Sequence, residues 1–280
     1  MAVTGNTELA PTKADIIGAI VQKELKFAAK LAGYFTDLSS LAMKGAKSVS
    51  YPKLSSFTVV DRASAVAGVA SALTSAVDKL DLDQNAYVSW IVDSSDEIQS
   101  MIEVQIEFAR RAAAAHGRYF DEQLITGLET HGVATVTAGV ITRDVVLEMR
   151  KAIQKNDGDL SSTGFFISPD DEEDMLKVAE FTQAQIYGAA VIPSGVIGSV
   201  YGIPVVVHNG LAAAQYFMAE KSGLAYALQL APKMASQPAI EYGTSAMLTA
   251  MDQLFGVKGL QLGEKGVGAT LSPLIIKDAN

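Results

Sequence analysis

From Ser94 to Leu124 the residues Ile98, Met101, Ile102, Phe108, Ala109, Ala112, Ala113, Tyr119, Phe120 and Leu124 recur at helical spacing, and no proline interrupts them. At 1.5 Å per residue, roughly 32 residues make a rod of about 50 Å. Helices of ordinary globular domains average about three turns. Ser94 with Glu97 three residues on forms a capping box, and Asp93 and Asp96 add negative charge where the helix dipole is positive. The middle of the rod, Arg110 to Arg118, is small on one face, so another element must pack close against it. Any fold for this chain has to cover that rod along its length.

The remaining segments read as short helices and strands. Lys13 to Leu41 has helical spacing enough for one or two helices, behind a small, polar start at Met1 to Thr12. Ser48 to Leu54 alternates with period two, and Pro52 suggests a sheet edge. Residues 55–80 are rich in small side chains and have no firm period, which predicts an extended loop or hairpin ordered by neighbours. Residues 78–93 suit a strand pair or one bent strand. Thr142 caps a helix over Arg143 to Lys155, ended by Asn156-Asp157-Gly158. Gly164 to Ile167 is a short buried strand, and Ser168-Pro169 opens a helix to about Glu180. A glycine-rich loop over 181–199 precedes strands at Ile203 to His208 and Gln215 to Ala219. Gly223 to Leu230 fits helix or strand, and short strands are expected at Ala239 to Tyr242, Met247 to Val257 and Gly266 to Leu271. This order predicts an α+β fold rather than a regular βαβ array.

Composition narrows the function classes. Hydrophobic residues make up 49% and charged ones 19%, which excludes intrinsic disorder. The absence of cysteine excludes disulfides and thiolate metal sites within the chain. No basic and apolar leader is apparent. The apolar tract Ile186 to Val207 holds Pro193, Pro204 and four glycines, so it suits turns and strands rather than a membrane span. The net charge of −9 argues against tight gripping of nucleic acid. It is uneven: residues 1–60 carry seven lysines and four acids, and the rest carries 15 basic and 27 acidic side chains. A weakly basic arm therefore precedes an acidic body.

No catalytic, cofactor or metal constellation emerges. Gly195, Gly198 and Gly202 lack the Lys-Ser/Thr and the following helix of a phosphate loop. His208-Asn209-Gly210 ends a strand, has no nominated carboxylate or nucleophile, and reads as a tight turn with positive φ. Asp170 to Asp174 could hold a hard cation, but acids in a first helical turn are explained by the helix dipole. Asn156 to Asp159 starts like a calcium loop and lacks its glutamate. His116 and His131 stand alone.

The order of parts has a counterpart. "SVSYPKL", the small-residue loop, "DKLDLDQNAYVSWIVD", the long helix ending in "FDEQLITGL", "SPDDEEDMLKV" and "GSVYGIPVVVHNGL" together resemble the major capsid proteins of tailed bacteriophages with the Hong Kong 97-like fold, over about Lys13 to Leu271. The resemblance implies an amino-terminal arm (1–47), a peripheral domain (48–132 and 236–280) and an axial domain (133–235). Within the peripheral domain it implies an extended loop at about 54–82 and a spine helix at about 94–128. It implies a non-enzymatic subunit that assembles with itself through hexamers and pentamers into an icosahedral shell around double-stranded DNA, bound without sequence specificity. It also implies a separate scaffolding protein and a portal, no cofactor, no membrane, and residence in the virion after synthesis in the host cytoplasm. The intersubunit contacts expected are Phe57, Val59, Arg62, Val69, Leu73, Gly195, Gly198 and Tyr201. Two departures stand out: the body starts too near Met1 to hold a cleaved scaffolding segment, and no Lys–Asn crosslinking pair can be matched. An encapsulin-like compartment shell is the alternative within the fold, and an acidic α+β enzyme the alternative outside it.

Overall fold

The computed structural model describes residues 30–54, 75–93, 104–136, 139–177, 198–242, 246–260 and 271–278. The expected arm helices before residue 30, the Ser94–Glu97 capping box, the loop residues 55–74 and 181–197, and the strand residues 266–270 lie outside them. In chain order the strands are β1 (Thr36–Asp37), β2 (Ser48–Leu54), β3 (Ser75–Asp81) and β4 (Gln84–Asp93), followed by helix α1 (Val104–His131) and β5 (Val133–Val136). Helix α2 (Arg143–Lys155), β6 (Thr163–Ile167), helix α3 (Pro169–Lys177), β7 (Ser199–Val200), β8 (Ile203–Val207) and β9 (Phe217–Glu220) come next. The chain closes with β10 (Leu224–Pro238), β11 (Ala246–Gly259) and β12 (Ile275–Asp278). The fold is mixed α+β. No described helix is long and apolar enough to cross a membrane.

Three expectations are corrected at the level of elements. Residues 30–41 hold two 3-10 turns around β1 rather than an α-helix. Leu224 onward is strand, and Ala239 to Tyr242 is not a strand but a 3-10 turn over Ile240–Tyr242. Positive φ falls at Tyr201 (50°) and Gly202 (82°), the two-residue hairpin joining β7 to β8, rather than at Asn209-Gly210. That placement follows from hairpin geometry, because a two-residue turn matches strand twist when both residues are left-handed.

The chain divides into two compact units. The first takes its described residues from 82–121 and 228–256, and it holds β4 and most of β10 and β11 from the four-stranded sheet β1-β10-β11-β4. β11 and β4 are antiparallel from Ala246↔Asp93 to Phe255↔Gln84, so Thr249 lies opposite Trp90. The Ala239 N–H bonds to the Ala246 carbonyl (2.8 Å), and the Ser236 and Thr249 hydroxyls meet at 3.0 Å. Ser236, Thr249 and Trp90 thus form one row across three strands. The amino-terminal part of α1 covers this face. Tyr119 and Phe120 set their rings edge-on to Phe255 at 6.0 and 4.9 Å, and the Tyr119 hydroxyl donates to Gln84 Oε1 (3.2 Å). His116 is buried and its Nε2–H donates to the Met251 carbonyl (3.2 Å). The alanines of "RRAAAAH" allow helix and sheet to approach at this point.

The second unit holds residues 30–81, 122–227 and 257–280. Its six-stranded sheet runs β5-β12-β9-β6-β8-β7, with β6 central and buried at all five positions. The face of α2 bearing Val146, Met149 and Ile153 joins Phe165, Ile167, Val205, Met218 and Ile276 in the core. Phe166 points to the opposite side, where Tyr34 and Phe35 pack on it at 5.5 Å each. Helix α2 ends in a Schellman motif: Gly158 N–H reaches the Ile153 carbonyl (3.1 Å), Asp157 N–H reaches that of Gln154 (3.1 Å), and Asp157 takes φ 62°. β2 and β3 pair with each other in a two-stranded ribbon, in register from Ser48↔Asp81 to Leu54↔Ser75.

Candidate functional site

Ser168, Asp171, His208 and Asp159, singled out in the sequence, each have a partner within the fold. Ser168 and Asp171 form a reciprocal cap on α3: the Asp171 N–H donates to Ser168 Oγ (3.1 Å), and the Ser168 hydroxyl donates to Asp171 Oδ2 (2.7 Å). Asp171 is buried, and its Oδ1 accepts the N–H of Ala214 (3.1 Å), a residue held at φ 60°. His208 is buried, and its Nδ1 accepts the Gly210 N–H (3.0 Å), closing the turn after β8. Asp159 accepts from Ser161 and caps a 3-10 turn. Among the described residues no three His, Asp or Glu side chains are grouped to hold a metal ion.

Of the expected contact residues, Phe57, Val59, Arg62, Val69, Leu73 and Gly195 lie outside the described residues. Gly198 and Tyr201 flank β7: the Gly198 carbonyl accepts from Val205, and Tyr201 packs partly buried against its own unit's core.

Two arrangements escaped sequence reasoning. The first is a polar cluster at the middle of the β2–β3 ribbon. Tyr51 and Asp78 are cross-strand partners, and the Tyr51 hydroxyl donates to Asp78 Oδ2 (2.9 Å). Lys258, on β11, donates to Asp78 Oδ1 and also to the Lys79 carbonyl (2.6 Å). Burial alone would raise the Asp78 carboxyl, but the bonds from Lys258 and Tyr51 outweigh it and hold it below its ordinary value. Burial and the neighbouring Asp78 carboxylate raise the Tyr51 hydroxyl. Period-two spacing made the Tyr51–Asp78 pair findable; nothing in sequence brings Lys258 to it.

The second is a cavity of about 390 Å³ in the first unit. Trp90, Thr249 and Ser236, the row described above, form its floor with Met234, and Ala109, Arg110 and Ala113 of α1 form its wall. It exists because two alanines, four apart on one helical face, stand over the indole where larger side chains would meet it. Beside it the β10–β11 hairpin tip projects: Ile240 is 77% exposed and Tyr242 is 41% exposed. The Ala109–Ala113 spacing was visible in sequence, but what lay opposite was not.

A third buried group is Asp278 on β12. Its carboxylate accepts backbone N–H bonds, including that of Tyr216, while Oδ2 is buried without a partner among the described residues. Burial, with the nearby Asp171, raises it. Burial and the Asp278 and Asp171 charges in turn push the Tyr216 hydroxyl up to about 12.

No protein-family model matches the chain. No curated protein matches it either. Solved structures do. A chain of Mycobacterium phage Che8 superposes with TM-score 0.76 at 18% identity, covering 95% of this chain and 96% of that one. A chain of the mature capsid of bacteriophage PhiM1 gives 0.71 at 13% identity, covering 95% and 91%. The capsid of cyanophage P-SCSP1u gives 0.73 at 12% identity, covering 99% and 95%. With a mixed α+β architecture, one long helix over an antiparallel sheet and near end-to-end coverage in both directions, this chain has the fold found in tailed-phage capsid structures.

Proposed function

We propose that this chain is the major capsid protein of a tailed phage, building an icosahedral head from hexamers and pentamers of itself in the Hong Kong 97-like manner. The observation that carries the reading is the two-way coverage of the PhiM1 and P-SCSP1u capsid chains, which leaves little of either molecule for another role. The ribbon β2–β3 pairs with no third strand among the described residues, which suits the base of a loop reaching onto a neighbour. The rod-like α1 suits a spine. On this reading residues 1–47 are the arm, 48–132 and 236–280 the peripheral domain, and 133–235 the axial domain. A separate scaffolding protein and a portal assist assembly, and the acidic shell encloses double-stranded DNA without gripping it.

The test is the particle. Purified chain, with and without a scaffolding partner, is followed by sedimentation and negative-stain microscopy under assembly conditions. Closed shells of uniform size are expected. Monomers and dimers alone in every condition would overturn the reading, and shells filled with protein cargo in place of DNA in the producing cell would favour the compartment instead.

A further inference from the structure

The cavity and the hairpin tip of the first unit carry matching apolar groups and opposite charges. The tip carries Ile240, Glu241 and Tyr242 on one turn, and the two apolar side chains are exposed. Two apolar groups held out by a turn that follows a strand are poorly placed for a lone subunit, and such projections mark interaction sites. The cavity is lined mainly by apolar groups, with the Ser236 and Thr249 hydroxyls in its floor, and it is large enough for a ring, since a cavity of about 150 Å³ already admits benzene. At its rim stands Arg110, whose side chain is 74% exposed and whose pairing with Glu107 is long, at 3.9 Å. Glu241 is exposed and has no ion-pair partner among the described residues.

We propose that the Ile240–Glu241–Tyr242 tip of one copy of this chain inserts its apolar side chains into the Trp90 cavity of a second copy, with Glu241 meeting Arg110 at the rim. Tip and cavity lie on the same hairpin: Ser236 belongs to the cavity floor and Ile240 is four residues further on. Every copy therefore offers both halves of the contact, which can close reciprocally or around a small ring. Strand pairing is the other way two such sheets could join, and the edge of β10 opposes it. With Ala239 bonded to β11, the odd residues of β10 turn their backbone groups to β11 and the even ones turn theirs outward. Pro232 and Pro238 are both even, so the outward edge lacks two donors. Side chains rather than strand addition make the contact.

The proposal rests on the shell reading for its second copy, and the experiment separates the two. The chain has no cysteine, so engineered ones report alone. Subunits carrying Ala113→Cys are co-assembled with size-tagged subunits carrying Ile240→Cys, oxidised, and run without reductant. A mixed-size dimer band is expected, and it is lost when Tyr87→Cys replaces Ala113→Cys. Particles without that band overturn the insertion and leave the shell reading standing; failure of the wild-type chain to form particles overturns both. Should the cysteine variants not fold, the wild type supplies the answer, because Trp90 is the only tryptophan. Its emission is expected to shift to shorter wavelength on assembly, and the shift to be lost in Ile240→Ser. Unchanged emission overturns the insertion. Arg110→Glu should impair assembly and Glu241→Arg, added to it, should restore it; no rescue counts against the rim pair.

Discussion

At the residue scale, several described polar groups hold neighbouring elements together, and their titration is the readable consequence. Asp278 has its carboxyl raised by burial, with one oxygen unpartnered, so its ionised form is disfavoured in the folded state. Below its raised folded pKa and down to the ordinary carboxylate value, the native state binds more protons than the unfolded one, and stability rises as the pH falls through that window. We expect Asp278→Asn to raise the midpoint of chemical denaturation at pH 7 and to flatten this mild acid gain. A wild type whose pH dependence of stability on the acid side is identical to that of Asp278→Asn would contradict it. Asp171, by contrast, is fully employed by Ser168 and the Ala214 N–H. Capping was legible from Ser168-Pro169 and from the acids after it, because capping depends on neighbours three residues away. The environments of His208 and Asp278 were not, because their partners come from distant elements or from turns that only the folded chain defines.

At the scale of elements, Lys258 ties the ribbon β2–β3 to β11. Asp78 is held below its ordinary pKa, so its contribution is fully present above about pH 4 and is lost as the pH falls through the depressed value. Lys258→Met should cost about 1 kcal/mol in denaturant titrations at neutral pH, since the pair is only partly buried. In the same variant the folded Asp78 carboxyl should titrate at higher pH, closer to its ordinary value, so the Asp78-dependent loss of stability in acid should shrink. An acid limb identical to wild type would rule out the cluster as its source. Boundaries of the regular elements followed the sequence closely for β2, α2 and β8, whose periodicity and caps are local. In sequence Gly223 to Leu230 stays open between helix and strand, because alternation breaks off where β10 leaves the core: its first four residues are buried and its last nine are exposed. Pattern-based reading needs one face buried throughout, and β10 does not supply it.

At the scale of the whole molecule, the shell reading makes a proteolytic prediction about residues 55–80, the proposed extended loop together with most of β3. In free subunits a protease should cut there first, and assembled particles should resist at the same sites. Equal cleavage in both states, measured by gel and mass spectrometry, would show that no neighbour covers the loop. The fold of phage chains at 12–18% identity is found here because what is shared is a pattern of burial, helix length and strand order. Such patterns tolerate replacement of nearly every side chain as long as volume and period are kept.

The sequence alone determined the α+β class, the exceptional helix, the absence of thiol chemistry and the order of parts that resembles a capsid subunit. These are local or compositional properties, carried by spacing, caps and residue counts. Only the tertiary structure decided that Lys258 meets Asp78, that Ala109 and Ala113 open a cavity over Trp90, and that Ile240 stands out beside it. Each of those depends on which strands lie side by side and in what register, and register is a property of the whole sheet that no stretch of its sequence contains.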